Sequence, residues 1–232
     1  MPSLVRSFSN HIYHNDLVEP NDLILLAISG GIDSLVMAKL FSDYSKKSNL
    51  NIEVSAAYVD IEQVSIGSQN ISQLKTIINN FGLELTIIPA SIEQQNSYNC
   101  YICSKERRKA LFTYYDKNHF DAIAFGHHKD DLIETGFMNF INHGNLETLK
   151  SVDYMFNNVI KVIRPLLSAS KKNIRYFANS NNIEAINSAG CQFGSDSKRS
   201  EIRNYLQIIS RDNPQFKKNL YNAILEYNNR DY

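Results

Sequence analysis

The chain has 232 residues, 43% of them hydrophobic and 21% charged, with a formal net charge of zero. That length suits one domain, or one domain with a helical appendage. No apolar run approaches the roughly 20 residues a membrane-spanning helix needs, and the opening segment lacks the apolar core and small-residue cleavage site of a secretory leader, so a cytoplasmic protein without membrane attachment is expected.

Short apolar runs alternate with amphipathic stretches. Leu23–Ile28 reads as a buried strand and Asp33–Tyr44 as a helix; Ile52–Tyr58 is a strand and Ile71–Phe81 a helix. Glu84–Ile88 is a short strand, Cys103–Asn118 a helix and Asp121–Phe125 a strand. Asp130–Ile141 is helical, Val159–Ile163 extended and Lys171–Asn181 helical. Lys198–Ser210 and Pro214–Asn229 close the chain as two helices, the second with Pro near its first turn. Residues 60–70, 89–99 and 142–158 read as loops. The βαβα rhythm predicts an α/β fold: a parallel twisted sheet of about five strands with helices on both faces, plus C-terminal helices. Such sheets bind ligands beyond the carboxyl ends of their strands. Residues 1–190 are expected to form the catalytic domain and 191–232 a helical segment completing it.

Charge is unevenly spread. Residues 1–99 hold 5 Lys and Arg against 10 Asp and Glu, residues 100–232 hold 19 against 14, so the halves carry −5 and +5. A basic half can meet phosphates while the whole chain stays neutral, although an imbalance of this size also arises on ordinary surfaces. Cys100, Cys103 and Cys191 are the three cysteines, an odd number that does not suggest a disulfide framework.

Three stretches carry chemistry. Ala27-Ile28-Ser29-Gly30-Gly31-Ile32-Asp33-Ser34 leaves a strand and opens a helix. Its glycines allow a tight turn with backbone N–H groups close to an anion at a helix N-terminus. Asp33 can hold Mg2+ or cap the helix, and the lysine of a Walker A loop is missing. Phe125-Gly126-His127-His128-Lys129-Asp130-Asp131 follows another strand, with Gly126 turning the chain out and the acidic pair entering a helix. Asp130 and Asp131 suit Mg2+ beside a triphosphate or cap the helix, and His127 can bind phosphate or bridge loops. The adjacent histidines lack the spacing of HExxH, which makes zinc the weaker reading. Cys100-Tyr101-Ile102-Cys103 runs into Ser104-Lys105-Glu106-Arg107-Arg108. This spacing suits an iron–sulfur cluster, a zinc half-site, a redox pair or a persulfide relay.

The SGGxDS turn resembles the signature of the pyrophosphatase-loop ATPases, and GHHxDDxxET resembles the second nucleotide-side motif of their tRNA-modifying branch. CxxCxxxRR before that second motif, then Ile163-Arg164-Pro165-Leu166 and a late cysteine, is similar to the tRNA 2-thiocytidine synthetases. The resemblance implies an adenine-nucleotide alpha-hydrolase-like fold, ATP split to AMP and pyrophosphate, and a tRNA anticodon-loop pyrimidine as substrate. It implies ATP bound by Ala27, Ser29, Gly30, Gly31, Asp33, Ser34, Gly126 and His127, and Mg2+ on Asp33 and Asp130. A 4Fe–4S cluster on Cys100, Cys103 and Cys191 is implied too, with Asp131, Asp130, Arg107 and Cys191 as catalytic residues. A sulfur donor such as a cysteine desulfurase and a homodimer belong to the same expectation.

The chain departs from that family where Ile32 replaces a lysine, where a second CxxC keeps only Cys191, and at a shorter N-terminus. Ser197–Asn204 is faintly similar to the Arg-rich run of lysidine synthetases, which would ligate lysine in place of sulfur. A non-catalytic nucleotide-binding module and a small-metabolite amidating ligase are the other readings.

Overall fold

The structure is a computed structural model that describes residues 3–92, 99–186 and 198–228. In chain order its elements are α1 (Leu4–His14), β1 (Leu23–Ile28), α2 (Ile32–Lys47), β2 (Glu53–Ile61), α3 (Ser68–Asn80), β3 (Leu85–Ala90), α4 (Cys100–Lys117), β4 (Ala122–Phe125), α5 (Lys129–His143), β5 (Val152–Met155), β6 (Ile160–Ile163), α6 (Lys171–Ser180), α7 (Lys198–Asp212) and α8 (Phe216–Asn228). They group into two compact units, Met1–His128 with Ser151–Cys191 and Lys129–Lys150 with Gln192–Tyr232.

The first unit is built on a six-stranded sheet in the order β3-β2-β1-β4-β6-β5. β1 reads LILLAI, apolar at every position as a strand covered on both faces must be. It lies between β2 and β4, parallel to both, with Ile28 opposite Tyr58 and Ala27 opposite Phe125. Alternate residues feed opposite layers. Ile24, Leu26 and Ile28 join Phe8 of α1, Leu35 and Phe41 of α2, Leu74 and Ile78 of α3, and Ile174 of α6. Leu25 and Ala27 join Leu111 and Tyr115 of α4, with Ala57, Ile123 and Val162. The expected sheet with helices on both faces is therefore present.

Two elements go beyond the sequence reading. α1 buries Leu4, Phe8 and Ile12, a strict four-residue spacing, and Phe8 meets Phe41 edge-on at 5.2 Å. β5 lies antiparallel to β6 inside the stretch read as loop, so the sheet has six strands, five of them parallel. Because β5 is four residues long at an edge, it lacks the apolar alternation that marks a strand.

The second unit packs α5 with α7 and α8. Phe137 meets Phe216 at 6.1 Å, and a Cβ on Gly136 would lie 2.7 Å from Ile224, so glycine is what lets α8 sit this close to α5. Among the described residues no helix is long and apolar enough to cross a membrane.

Candidate active site

β1 sends its neighbours off in opposite directions, β2 to one side and β4 to the other, which makes the carboxyl end of β1 a topological switch point. The glycine turn emerges there. Gly30 has φ +81°, a left-handed conformation that any side chain would strain, and its carbonyl accepts from the Ile186 N–H at 2.9 Å. The turn is braced from within. The Ser34 hydroxyl donates to the Gly31 carbonyl at 2.9 Å and accepts from the Ser29 N–H at 3.2 Å, while Gly31 N–H reaches Ser29 Oγ at 3.3 Å. Gly31 is the N-cap of α2 and offers no side-chain cap, so the helix's first-turn donors and positive dipole end are left for an incoming anion.

Gly126 permits the second loop to approach. A Cβ there would stand 3.1 Å from Ser34 N and 3.2 Å from both the Asp33 carbonyl carbon and Ser34 Cα. Those atoms are backbone and cannot yield cheaply. The expected ATP-side residues Ala27, Ser29, Gly30, Gly31, Asp33, Ser34, Gly126 and His127 thus occupy two adjoining strand ends.

The structure adds two residues around Asp33. His128 is 2% exposed, and its Nε2 lies 3.7 Å from Asp33 Oδ1. Lys171, in the first turn of α6, places Nζ 3.8 Å from Asp33 Oδ2. Position 32 provides no lysine, yet a lysine reaches this turn from another element. Asp33 Oδ1 is buried and has no hydrogen-bond partner among the described residues, an arrangement suited to a bound cation. The His127 ring lies against Phe125, tilted by 33° with centroids 5.8 Å apart. Two adjacent histidines carry no sequence signal that separates them; the fold buries His128 against Asp33 and leaves His127 partly exposed.

A second group of polar atoms flanks the end of β2. Tyr58 is 3% exposed, and burial pushes its phenol above the ordinary range against the opposing pull of Arg107; Asp60 and Cys103 add smaller upward pushes. Arg107 Nε and Asp60 Oδ1 are buried with no hydrogen-bond partner among the described residues. Asp60 falls in the stretch that the sequence assigns to a loop, and the structure places it near the end of β2. Cys100 and Cys103 occupy the first turn of α4, which Asn99 caps by accepting from Ile102 N–H at 3.0 Å. Cys100 is exposed and Cys103 half-buried against the α4 layer. Cys191 lies outside the described residues.

Asp130 and Asp131 open α5 in the second unit, as the acidic pair should at a helix start. There Asp131 is buried and faces Arg199 at 3.8 Å, and Glu134 binds Arg203 Nε at 2.7 Å. Among the described residues no group of three His, Cys, Asp or Glu side chains could hold a metal alone. Mg2+ on Asp33 would therefore draw its other ligands from phosphate and water. Cys100 and Cys103, one helical turn apart, fit two corners of a cluster.

A switch-point sheet with an uncapped helix behind a glycine turn defines a nucleotide-binding α/β domain. The PP-loop domain family matches residues 3–208, and the chain belongs to that family. It is 26% identical over 220 residues to a tRNA-cytidine(32) 2-sulfurtransferase of Francisella philomiragia, covering 90% of this chain and 83% of that one. A second such enzyme, from Francisella tularensis, is 25% identical over 228 residues, covering 95% and 84%. The U34-tRNA thiolase NcsA from Methanococcus maripaludis, solved with its 4Fe–4S cluster, shares the fold with a TM-score of 0.79 at 23% identity, over 98% of this chain and 80% of that one.

Proposed function

We propose that the chain is an ATP-dependent tRNA sulfurtransferase that activates a pyrimidine of the anticodon loop, cytidine in the leading reading, and replaces its carbonyl oxygen with sulfur. The observation that carries this is the braced glycine turn at an uncapped helix start, with a buried Asp33 oxygen beside His128 and Lys171.

ATP binds with its phosphates on the N–H groups at the head of α2, where dipole and orphan donors act together. Lys171 supplies the positive charge that Ile32 cannot, and Asp33 would carry Mg2+ completed by phosphate oxygens and water. The pyrimidine oxygen attacks the α-phosphorus; the α–β bond breaks and pyrophosphate leaves. Donors fixed in advance on the phosphates stabilise the charge that develops in that step. AMP on the ring then converts a poor leaving group into a good one. Arg107, with its buried Nε unmatched, is held beside the CxxC turn to orient the base, and Asp131 is the acidic partner of the reaction. Cys100, Cys103 and Cys191 would hold the cluster, which would supply sulfide-level sulfur to the ring carbon as AMP departs with the old carbonyl oxygen. A cysteine desulfurase persulfide, reduced by two electrons from a thiol, is the donor class that would replenish it.

Anaerobic purification tests the reading. The expected result is a brown protein with about four irons per chain, lost in Cys100→Ala, that forms 2-thiocytidine in unmodified tRNA with ATP. A colourless protein that instead attaches lysine to tRNA, with Cys100→Ala equally active, would overturn it.

A further inference from the structure

α4 carries a second face that the adenylation chemistry does not use. Tyr101, Lys105, Arg108 and Phe112 are spaced four, three and four residues apart, and at about 100° per residue they fall within about 60° of arc. Tyr101 is 71% exposed, and Lys105 and Arg108 are exposed between it and Phe112. Glu106, the acid in this turn, faces Lys109 at 3.9 Å.

The stripe ends on the β5–β6 hairpin. Phe156, Asn157 and Asn158 all have positive φ, at +53°, +56° and +67°, and Val159 N–H closes the turn on the Phe156 carbonyl at 3.3 Å. Asparagine accepts that conformation readily; phenylalanine does so at a cost. The Phe156 ring is nevertheless 66% exposed, with its edge on Phe112 at 5.9 Å. Phe112 meets Phe125 at 6.4 Å, and the tilted rings of Phe125 and His127 lie 5.8 Å apart. A line of four rings therefore links an exposed hairpin tip to the loop beside the nucleotide turn.

We propose that this face of α4 and the hairpin tip form a track for single-stranded RNA, with phosphates on Lys105 and Arg108 and unpaired bases stacked on Tyr101 and Phe156. Alternating cations and exposed rings match the two features that a single strand offers, a charged backbone and apolar base faces. The inference rests on the tRNA reading and adds the part of the substrate that it names: loop nucleotides flanking the reacting base. Burial does not account for a strained, exposed phenylalanine, whereas a stacking platform does.

The full chain is titrated with a stem-loop RNA bearing a pyrimidine-rich loop, over a range of salt. F156N, which relieves the turn, is expected to bind about ten-fold more weakly with the salt slope unchanged. K105A/R108A is expected to lower that slope by roughly 1.4, two single-strand phosphates. Because the chain has no tryptophan, F156W supplies a unique fluorophore that stem-loop RNA should quench and ATP alone should not. If wild type binds the RNA while F156N and K105A/R108A keep its affinity and slope, the track is wrong and the tRNA reading stands. If wild type binds no RNA at any salt, both fall. Equal quenching by a polyglutamate peptide overturns the track in favour of an acidic protein partner.

Discussion

Asp33 concentrates the chemistry of the glycine turn in one side chain. Its two oxygens face His128 and Lys171, and one of them is buried without a hydrogen bond among the described residues. A carboxylate kept so is poised for a divalent cation, and the amide in Asp33→Asn removes the charge while keeping the shape. Pyrophosphate-forming turnover should fall about 100-fold, with the Mg2+ requirement shifted to higher concentration; an unchanged Mg2+ dependence would remove Asp33 from the metal. Gly126→Ala tests the neighbouring loop. Its new methyl would meet Ser34 and Asp33 backbone at 3.1–3.2 Å, so the second loop must move away from the turn. Calorimetric titration should show about ten-fold weaker ATP binding with little change in Tm, since a misplacement of about 1 Å costs far more function than stability.

At the scale of elements, the strands and helices that flank the nucleotide turn were legible because each is long, periodic or uniformly apolar. β1 and α2 are the clearest, since LILLAI followed by two glycines leaves no competing reading. α1 was hidden by its polar residues, though Leu4, Phe8 and Ile12 carry a helical spacing. The CxxC falls inside α4 because Asn99 caps the helix three residues ahead of where apolar periodicity alone begins it. Lys171 illustrates what sequence cannot supply: a lysine at the head of α6 reads as a solvated cation until the fold brings that turn to Asp33. Asp60 and Arg107 are similar, ordinary charges until burial leaves Asp60 Oδ1 and Arg107 Nε unmatched.

α1 also yields a pH prediction. Burial of His11 pulls its pKa below the ordinary value of 6.5, opposed by a hydrogen bond with the Arg164 backbone. The unfolded chain then binds more protons than the folded one below that value, so stability is complete above it and is lost as pH falls through the window beneath. Thermal unfolding should show Tm dropping as pH falls below about 6.5, and His11→Phe should flatten that part of the curve. An identical slope in both proteins would refute the assignment.

The described residues group into a sheet unit and a helical unit. The sheet unit contains the glycine turn, the Gly126 loop, Lys171, the CxxC turn and the aromatic line. In the helical unit, Glu134 is 8% exposed and depends on Arg203 at 2.7 Å. Arg203→Met strands that carboxylate, and denaturant melts should register a loss of about 1–3 kcal/mol; a neutral result would make the pair ornamental. The two described cysteines, Cys100 and Cys103, are both free thiols and share the first turn of the helix that carries Arg107.

The central claim is that ATP is split between its α and β phosphates to activate a base in tRNA. Quenched-flow assays with ATP labelled at the α-phosphate, run with and without unmodified tRNA, follow that bond directly. The account predicts AMP and pyrophosphate in equal amounts, formed only when tRNA is present, with labelled AMP appearing transiently on the RNA. ADP and phosphate as products, or the same turnover without tRNA, would contradict it.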